Sequence, residues 1–332
     1  MLAASASLLN IPIVILDNGA HAPAKQVVAV APTTPHRSHL DGSFSDADKI
    51  RELAAKVDIL TVEIEHVNVD VLEEVQSTHG VEVHPNPSAI HIIQDKFRQK
   101  EHLLSHALPV ASSLPVDSTE QGITGAVATL GLPLMLKSRT LAYDGRGNYV
   151  LRDLSQIQDA LNALSERPLY AEKWVPFVKE IAVMVVRTTT GDTSSYPVVE
   201  TIHNDNICHL VFAPFRSRDP SLSAKACGIA EKAVKSLSGA GVFGVEMFLL
   251  GDGTSTSHSK MITRPTTSPR SNSRERDRTS ASQLGALHYR SVRDLTIRKS
   301  PPRDPRAPHR FNRPQSSLRC YAQHPRRVER HL

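Results

Sequence analysis

Short apolar runs alternate with segments of helical periodicity along the first hundred residues, and this alternation restricts the possible folds most. It predicts strands at 11–16, 59–63 and 81–83, and helices at 46–56 and 69–78. Strands that are separated by helices pair in parallel, because each crossover returns the chain to the same end of the sheet. The sequence therefore predicts an α/β fold whose first domain, residues 1–85, contains a doubly wound parallel sheet.

Polar side chains follow two of these predicted strands. Asp17 comes at the end of the first strand, and Glu65 and His66 come just after the second. Because ligands bind at the carboxyl ends of strands in such sheets, these residues are candidate ligand contacts. A helix-capping acid and a surface histidine are the alternative interpretation of Glu65 and His66.

A lysine and a glycine-containing loop follow the apolar run 132–136. Lys137 ends this predicted strand, and the loop continues to Asn148 with residues of both charge signs. Lysine supplies a point charge for phosphate oxygens, and glycines allow backbone N–H groups to approach them. The pattern predicts a lid over a polyphosphate, although a surface hairpin has the same composition.

Three acids accompany the later strand-like segments. Glu172 lies in 171–177, Glu180 precedes 181–186, and Glu246 lies in the otherwise apolar run 241–250. Burial of a carboxylate costs on the order of several kcal/mol unless it is paired or bound to a metal. The alternative for Glu246 is an ion pair with a buried lysine or arginine. Taken in chain order, the lysine, the loop and the acids predict a site for ATP and magnesium.

This order of motifs resembles the ATP-grasp family, in which two α+β lobes close on a nucleotide. The resemblance is most specific to its carboxyaminoimidazole ribonucleotide synthase branch and extends from Met1 to Gly253. It is carried by the segments 21–26, 42–46, 63–67, 94–100, 143–147, 172–177, 203–205 and 241–250. It implies that an ATP-grasp domain occupies residues 86–253.

The resemblance implies ATP-dependent carboxylation of 5-aminoimidazole ribonucleotide by bicarbonate, through carboxyphosphate, in de novo purine biosynthesis. The ligands would be ATP, Mg²⁺, bicarbonate and the ribonucleotide. Relatives are often dimers, so a homodimer is expected too. Apolar runs are too short to span a membrane, and three scattered cysteines suit a reducing compartment, so we expect a cytoplasmic protein without a membrane partner.

Site roles follow residue by residue from the resemblance. The implied ATP contacts are Lys96, Lys137, Ala142, Tyr143, Asp144, Gly145, Arg146, Gly147, Asn148, Glu172, Lys173, Trp174, Val175, Glu180 and His203. The implied ribonucleotide contacts are Glu65, His66, Tyr143, Asp144 and Arg146, of which Asp144 and Arg146 are the catalytic candidates. Glu246 would bind magnesium. His203 also fits an ordinary polar loop, and Trp174 and Phe177 are interpreted as packing residues.

Both ends depart from the family pattern. Relatives carry a strand and a glycine-rich turn before the position of Met1, and an Asn-Glu segment after Gly253 that completes the metal site. The sequence therefore predicts that a central strand of the first sheet is missing. Residues 254–332 carry a net charge of about +13 and few large aliphatic residues, which predicts a disordered tail.

Two explanations of the tail stay open at this point. One is a frameshift or a retained intron, and the other is a basic extension that binds RNA or acidic surfaces. Nucleic-acid binding is disfavoured because aromatic residues do not alternate with the arginines. The alternative to an active carboxylating enzyme is a remnant that binds nucleotide or pairs with a full-length copy.

Overall fold

The computed structural model describes residues 2–28, 38–140, 147–164, 167–204, 207–217, 219–251 and 260–264, with only the backbone for Ile207 and for 260–264. Among the helices in these ranges, none combines the length and the apolar character that a bilayer span requires. The predicted loop residues Ala142, Tyr143, Asp144, Gly145 and Arg146 lie outside the described residues, as does most of the predicted tail.

Short strands alternate with helices in the N-terminal region, as the sequence predicts. The elements are α1 (Leu2–Leu8), β1 (Leu16–Asp17), α2 (Pro23–Val27), β2 (Leu40–Asp41), α3 (Ala47–Ala54), β3 (Ile59–Thr61), α4 (Val69–His79), β4 (Glu82–His84) and α5 (Pro87–Gln94). Side-chain oxygens of Asp46 and Asn68 accept backbone N–H bonds in the first turns of α3 and α4. These caps satisfy donors that have no partner inside a helix and so mark where each helix begins.

The four strands of this region form two separate parallel pairs within the described residues. β1 pairs with β2, and β3 pairs with β4. Parallel pairing agrees with the predicted α/β fold, but the pairs do not join into one sheet. The strand predicted at 11–16 is wrong over 11–15, because ladder pairing begins only at Leu16, opposite Leu40.

A four-stranded antiparallel sheet follows helix α6 (Lys96–Ser105). Its elements are β5 (Ser113–Val116), α7 (Glu120–Leu130), β6 (Leu134–Ser138), β7 (Asn148–Leu151), a 3₁₀ turn (Leu154–Gln156), α8 (Ile157–Leu164) and β8 (Leu169–Lys173), in the strand order β5-β8-β6-β7. Leu134, Leu136 and Ala171 belong to one face and pack in an apolar core with α7 and α8. Side chains alternate along a strand, so Lys137 and Glu172 lie on the opposite face.

A six-stranded antiparallel sheet follows β8 and, together with helix α9, is here called the second lobe. Its elements are β9 (Phe177–Arg187), β10 (Thr193–Ser195), β11 (Val199–Asn204), β12 (Ile207–Phe212), α9 (Ser221–Ser236), β13 (Gly241–Leu250) and β14 (Lys260–Arg264). The order is β12-β11-β9-β13-β14, and β10 pairs with β9. β14 lies within the predicted tail, residues 254–332. Its backbone satisfies the free edge of β13, with Glu246 opposite Arg264.

One apolar core joins the N-terminal region to the second lobe. Leu72, Val75 and Ile90 belong to the same buried cluster as Ile181 and Met247. This core crosses the predicted boundary between residues 85 and 86. It holds the end of β3 and the start of α6 close to β13, where several predicted site residues are found.

Candidate functional site

Helix α6 carries the two lysines around which the site is built. Asp95 interrupts the helical region predicted to contain residues 94–106, and its carboxylate accepts N–H bonds from Phe97 and Arg98. Lys96 and Lys100 are then one turn apart, and their exposures are only 4% and 1%. The sequence analysis identified Lys96 but missed Lys100.

Lys100, Lys137 and Glu172 form a buried cluster between α6 and the four-stranded sheet, here called the double-lysine cluster. The Lys100 Nζ and the Lys137 Nζ both lie 3.1 Å from the same atom, Glu172 Oε2. Lys137 is opposite Tyr170 in the ladder of β6 and β8, so its side chain shares a sheet face with Glu172. Burial raises the pKa of Glu172, but Lys137 and Lys100 together outweigh it and lower the pKa.

Lys96 and Glu65 form a second buried contact, here called the single-lysine pair. The Lys96 Nζ lies 3.3 Å from Glu65 Oε1 and 3.3 Å from the Ile93 carbonyl oxygen. His66 Nε2 lies 3.8 Å from the same Glu65 oxygen. The structure therefore brings Glu65, His66 and Lys96 together, although the resemblance gives Lys96 to ATP and the other two to the ribonucleotide.

Hydrogen bonds connect the loop that contains Glu65 to α5. The Gln94 side-chain amide donates to the backbone carbonyls of Glu65 and Val67, at 2.6 and 2.8 Å. These bonds join residues that are 29 and 27 positions apart, and no local sequence signal indicates them. They fix Glu65 next to the start of α6.

Glu180 and His203 meet on the second lobe. Their strands, β9 and β11, are antiparallel neighbours, and His203 Nδ1 lies 2.5 Å from Glu180 Oε2. Both side chains are about nine-tenths buried, with exposures of 9% and 11% for Glu180 and His203. An ionised carboxylate is an acceptor with about four lone-pair sites, so it can contact more than one donor.

Glu246 lies on β13, beside the single-lysine pair. It lines one cavity together with Glu65, Lys96, Gln99 and His102. The described residues contain no group of three or more His, Cys, Asp or Glu side chains suited to a metal. One carboxylate still suits Mg²⁺, which commonly takes one or two protein carboxylates and completes its shell with water and phosphate oxygens.

The predicted ATP contacts at 172–175 lie at the end of β8 and directly after it. Glu172 is buried, Lys173 is exposed, and Trp174 and Val175 are partly buried. Phe177 stacks on Phe248 with ring centroids 4.2 Å apart. The interpretation of Phe177 as a packing residue is therefore confirmed, and the same apolar cluster includes Val175.

The start and the end of the predicted lid are described, although its middle is not. The Ser138 N–H donates to the Gly147 carbonyl at 2.7 Å, and Lys137 is opposite Asn148 in the ladder of β6 and β7. Arg139 binds the Asp95 carboxylate, with its Nη2 2.5 Å from Oδ2. This pair ties the first residues of the loop to the beginning of α6.

Sequence reasoning missed Lys100 and the Asp95–Arg139 pair. The helical spacing of Lys96 and Lys100 was available as a signal, since residues four apart lie on one face. Nothing in the local sequence indicated that this face is buried. For Arg139, no comparable signal exists, because its partner lies 44 positions away.

Two known protein families match successive parts of the chain. The ribonucleotide synthetase preATP-grasp domain matches residues 1–94, and the ATP-grasp domain matches residues 101–265. The phosphoribosylaminoimidazole carboxylase of Ogataea methanolica is 54% identical over 253 residues, which is 76% of this chain and 45% of that protein. The chain thus spans less than half the length of this relative.

Two solved structures from Aspergillus clavatus are similar in fold and sequence. A carboxyaminoimidazole ribonucleotide synthase complexed with ATP has a TM-score of 0.73 and 44% identity, over 82% of this chain and 67% of that one. An N5-carboxyaminoimidazole synthase in complex with ADP and 5-aminoimidazole ribonucleotide has a TM-score of 0.71 and 43% identity, over 80% of this chain and 65% of that one.

Proposed function

Because the chain belongs to the ATP-grasp family of carboxyaminoimidazole ribonucleotide synthases, we propose that it binds ATP and carboxylates 5-aminoimidazole ribonucleotide with bicarbonate. The observation that carries the proposal is the double-lysine cluster. Two formal positive charges surround one carboxylate there, in a buried position on the sheet face opposite the core. Buried lysine ammonium groups that converge on one point suit a polyanion such as triphosphate.

The remaining contacts fit the other parts of ATP. Glu180, a buried carboxylate beside His203, would accept hydrogen bonds from the ribose hydroxyls. The apolar cluster of Val175, Phe177 and Phe248 is suited to a flat aromatic base. Glu246 would hold Mg²⁺ with phosphate oxygens, and the metal would neutralise charge on the phosphates when bound.

The proposed chemistry begins with transfer of the terminal phosphoryl group of ATP to bicarbonate. Carboxyphosphate, a mixed anhydride, would result, and the exocyclic amine of the ribonucleotide would attack its carboxyl carbon or the carbon dioxide released from it. Phosphoryl transfer of this kind depends mainly on positioning and charge neutralisation. Lys137 and Lys96 would supply that neutralisation in this chain.

Glu65 and His66 are the described candidates for the ribonucleotide. Glu65 lies in the cavity that also contains Glu246, so the acceptor would be near the phosphoryl group that reacts. Tyr143, Asp144 and Arg146 stay predicted contacts, with Asp144 orienting the amine or moving its proton.

The test is ADP release by the purified chain with magnesium, ATP and bicarbonate, with and without the ribonucleotide. We expect ribonucleotide-dependent release, and we expect Lys137→Met to reduce it at least tenfold. Lys235→Met is the matched control, because Lys235 is an exposed lysine on α9. A folded chain that binds ATP but releases no ADP would contradict the carboxylation and support the nucleotide-binding remnant.

A further inference from the structure

We infer that Lys100 is a positioning residue, which keeps Glu172 neutralised and in place so that Lys137 is available to an anionic ligand. The inference deepens the proposed function and rests on it. It assigns to Lys100 an action through Glu172, without direct contact with the nucleotide.

Lys100 and Lys137 are both 3.1 Å from Glu172 Oε2, but they lie on different elements. The Lys100 Nζ also donates to the Ala111 carbonyl at 3.4 Å, and this carbonyl precedes β5. Lys100 is therefore held from two sides, and at 1% exposure it is among the most deeply buried side chains of the described residues. Lys137 is the penultimate residue of β6, and the predicted lid follows this strand.

Charge balance gives the reason for a second lysine. If Lys137 alone neutralised Glu172, its movement toward a phosphate would leave a buried carboxylate without compensation. Such a state is strongly unfavourable, because a charge in a low-dielectric interior requires a counter-ion or several hydrogen bonds. With Lys100 in place, Glu172 keeps one ion pair whether or not Lys137 turns to the ligand.

The experiment measures binding of ATP and of adenosine by calorimetry to the full chain and its variants. The dissociation constant of adenosine divided by that of ATP isolates the contribution of the phosphates, since both ligands share the base and the ribose. A larger ratio means that the phosphates contribute more to binding. We expect Lys100→Met to reduce this ratio at least tenfold, because Glu172 then retains Lys137. Lys100→Arg, which keeps the charge, is expected to preserve most of the ratio.

A double variant separates positioning from direct contact. Removing the charge of Glu172 frees Lys137, so Lys100→Met/Glu172→Gln should regain the phosphate-dependent ratio that Lys100→Met loses. It should match the ratio of Glu172→Gln alone. If the ratio of the double variant were well below that of Glu172→Gln, the inference would be overturned, because Lys100 would then contact the phosphates itself. If Lys100→Met does not fold, Lys100→Gln, which can still donate to the Ala111 carbonyl, replaces it in both comparisons.

The outcomes separate the inference from the function on which it rests. No ATP binding by the unsubstituted chain would contradict the nucleotide site, and with it this role of Lys100. ATP binding with a ratio that Lys100→Met leaves unchanged would overturn the role of Lys100 alone. Circular dichroism and the denaturation midpoint of each variant confirm that folded protein is compared.

Discussion

Helix α6 carries a lysine into each of two buried clusters, and the clusters differ in charge balance. In the single-lysine pair, Glu65 and Lys96 have one formal charge of each sign. In the double-lysine cluster, Glu172 faces two lysines, Lys100 and Lys137. Each cluster buries a carboxylate beside a lysine, but only in the second can one lysine turn to a ligand while another stays paired with the carboxylate.

Removal of the carboxylate that the two lysines share should cause the largest loss of stability. Glu172→Gln leaves two buried ammonium groups without their counter-ion, so we expect a loss near the upper end of roughly 3–5 kcal/mol in the free energy of unfolding. Urea denaturation monitored by circular dichroism measures it. Glu101→Gln, on an exposed part of α6, is the control and should change stability by less than about 0.5 kcal/mol.

The matched substitution in the single-lysine pair should cost less. Glu65→Gln isolates one lysine, and Lys96 keeps its bond to the Ile93 carbonyl, so we expect a loss near the lower end of roughly 3–5 kcal/mol. The same urea titration applies. Equal losses for Glu65→Gln and Glu172→Gln would show that the number of lysines does not distinguish the clusters.

A third ion pair on α6 tests the effect of exposure. Asp95 and Arg139 are 21% and 31% exposed, against 7% or less for each member of the double-lysine cluster. Solvent screens such a pair, so Arg139→Met should reduce stability by only about 1 kcal/mol. The cost should shrink further in 1 M salt, unlike that of Glu172→Gln. A salt-independent loss would contradict the assignment to an exposed ion pair.

The smallest expected effect concerns His102, which lines the cavity beside the single-lysine pair. Burial lowers the pKa of His102, and the neighbouring His106 lowers it further, while the Ser236 backbone raises it. A histidine with a lowered pKa in the folded state binds its proton more readily when unfolded. Stability therefore falls as pH decreases from above about 6.5 through the folded-state pKa.

Substitution of His102 should flatten that pH dependence. We expect His102→Asn to lose less than about 1 kcal/mol of stability at pH 8 and to show a weaker decline between pH 7 and pH 5 than the unsubstituted chain. Denaturation midpoints at several pH values measure it. His79→Asn, at the end of α4, is the control substitution. If it weakened the pH dependence of stability as much as His102→Asn does, the pH dependence could not be assigned to His102.

Elements with strong local signals were predictable from the sequence. Helices α3 and α4 have polar caps and apolar periodicity, and β13 is a long apolar run, so each was placed within a few residues. The strand at 11–15 was not, because an apolar run becomes a strand only where a neighbour exchanges hydrogen bonds with it. The same reason applies to β14, whose backbone pairs with the edge of β13.

The sequence by itself determined the alternation of elements, the family and the identity of Lys137, Glu172, Glu180 and Glu246 as site candidates. Only the tertiary structure decided which charges meet. Lys137 and Glu172 are 35 positions apart, and Lys96 and Glu65 are 31 apart. Chain connectivity does not specify such pairs, because their energy arises when packing removes both charges from water together. For that reason Lys100 could be recognised only after α6 was seen against β8.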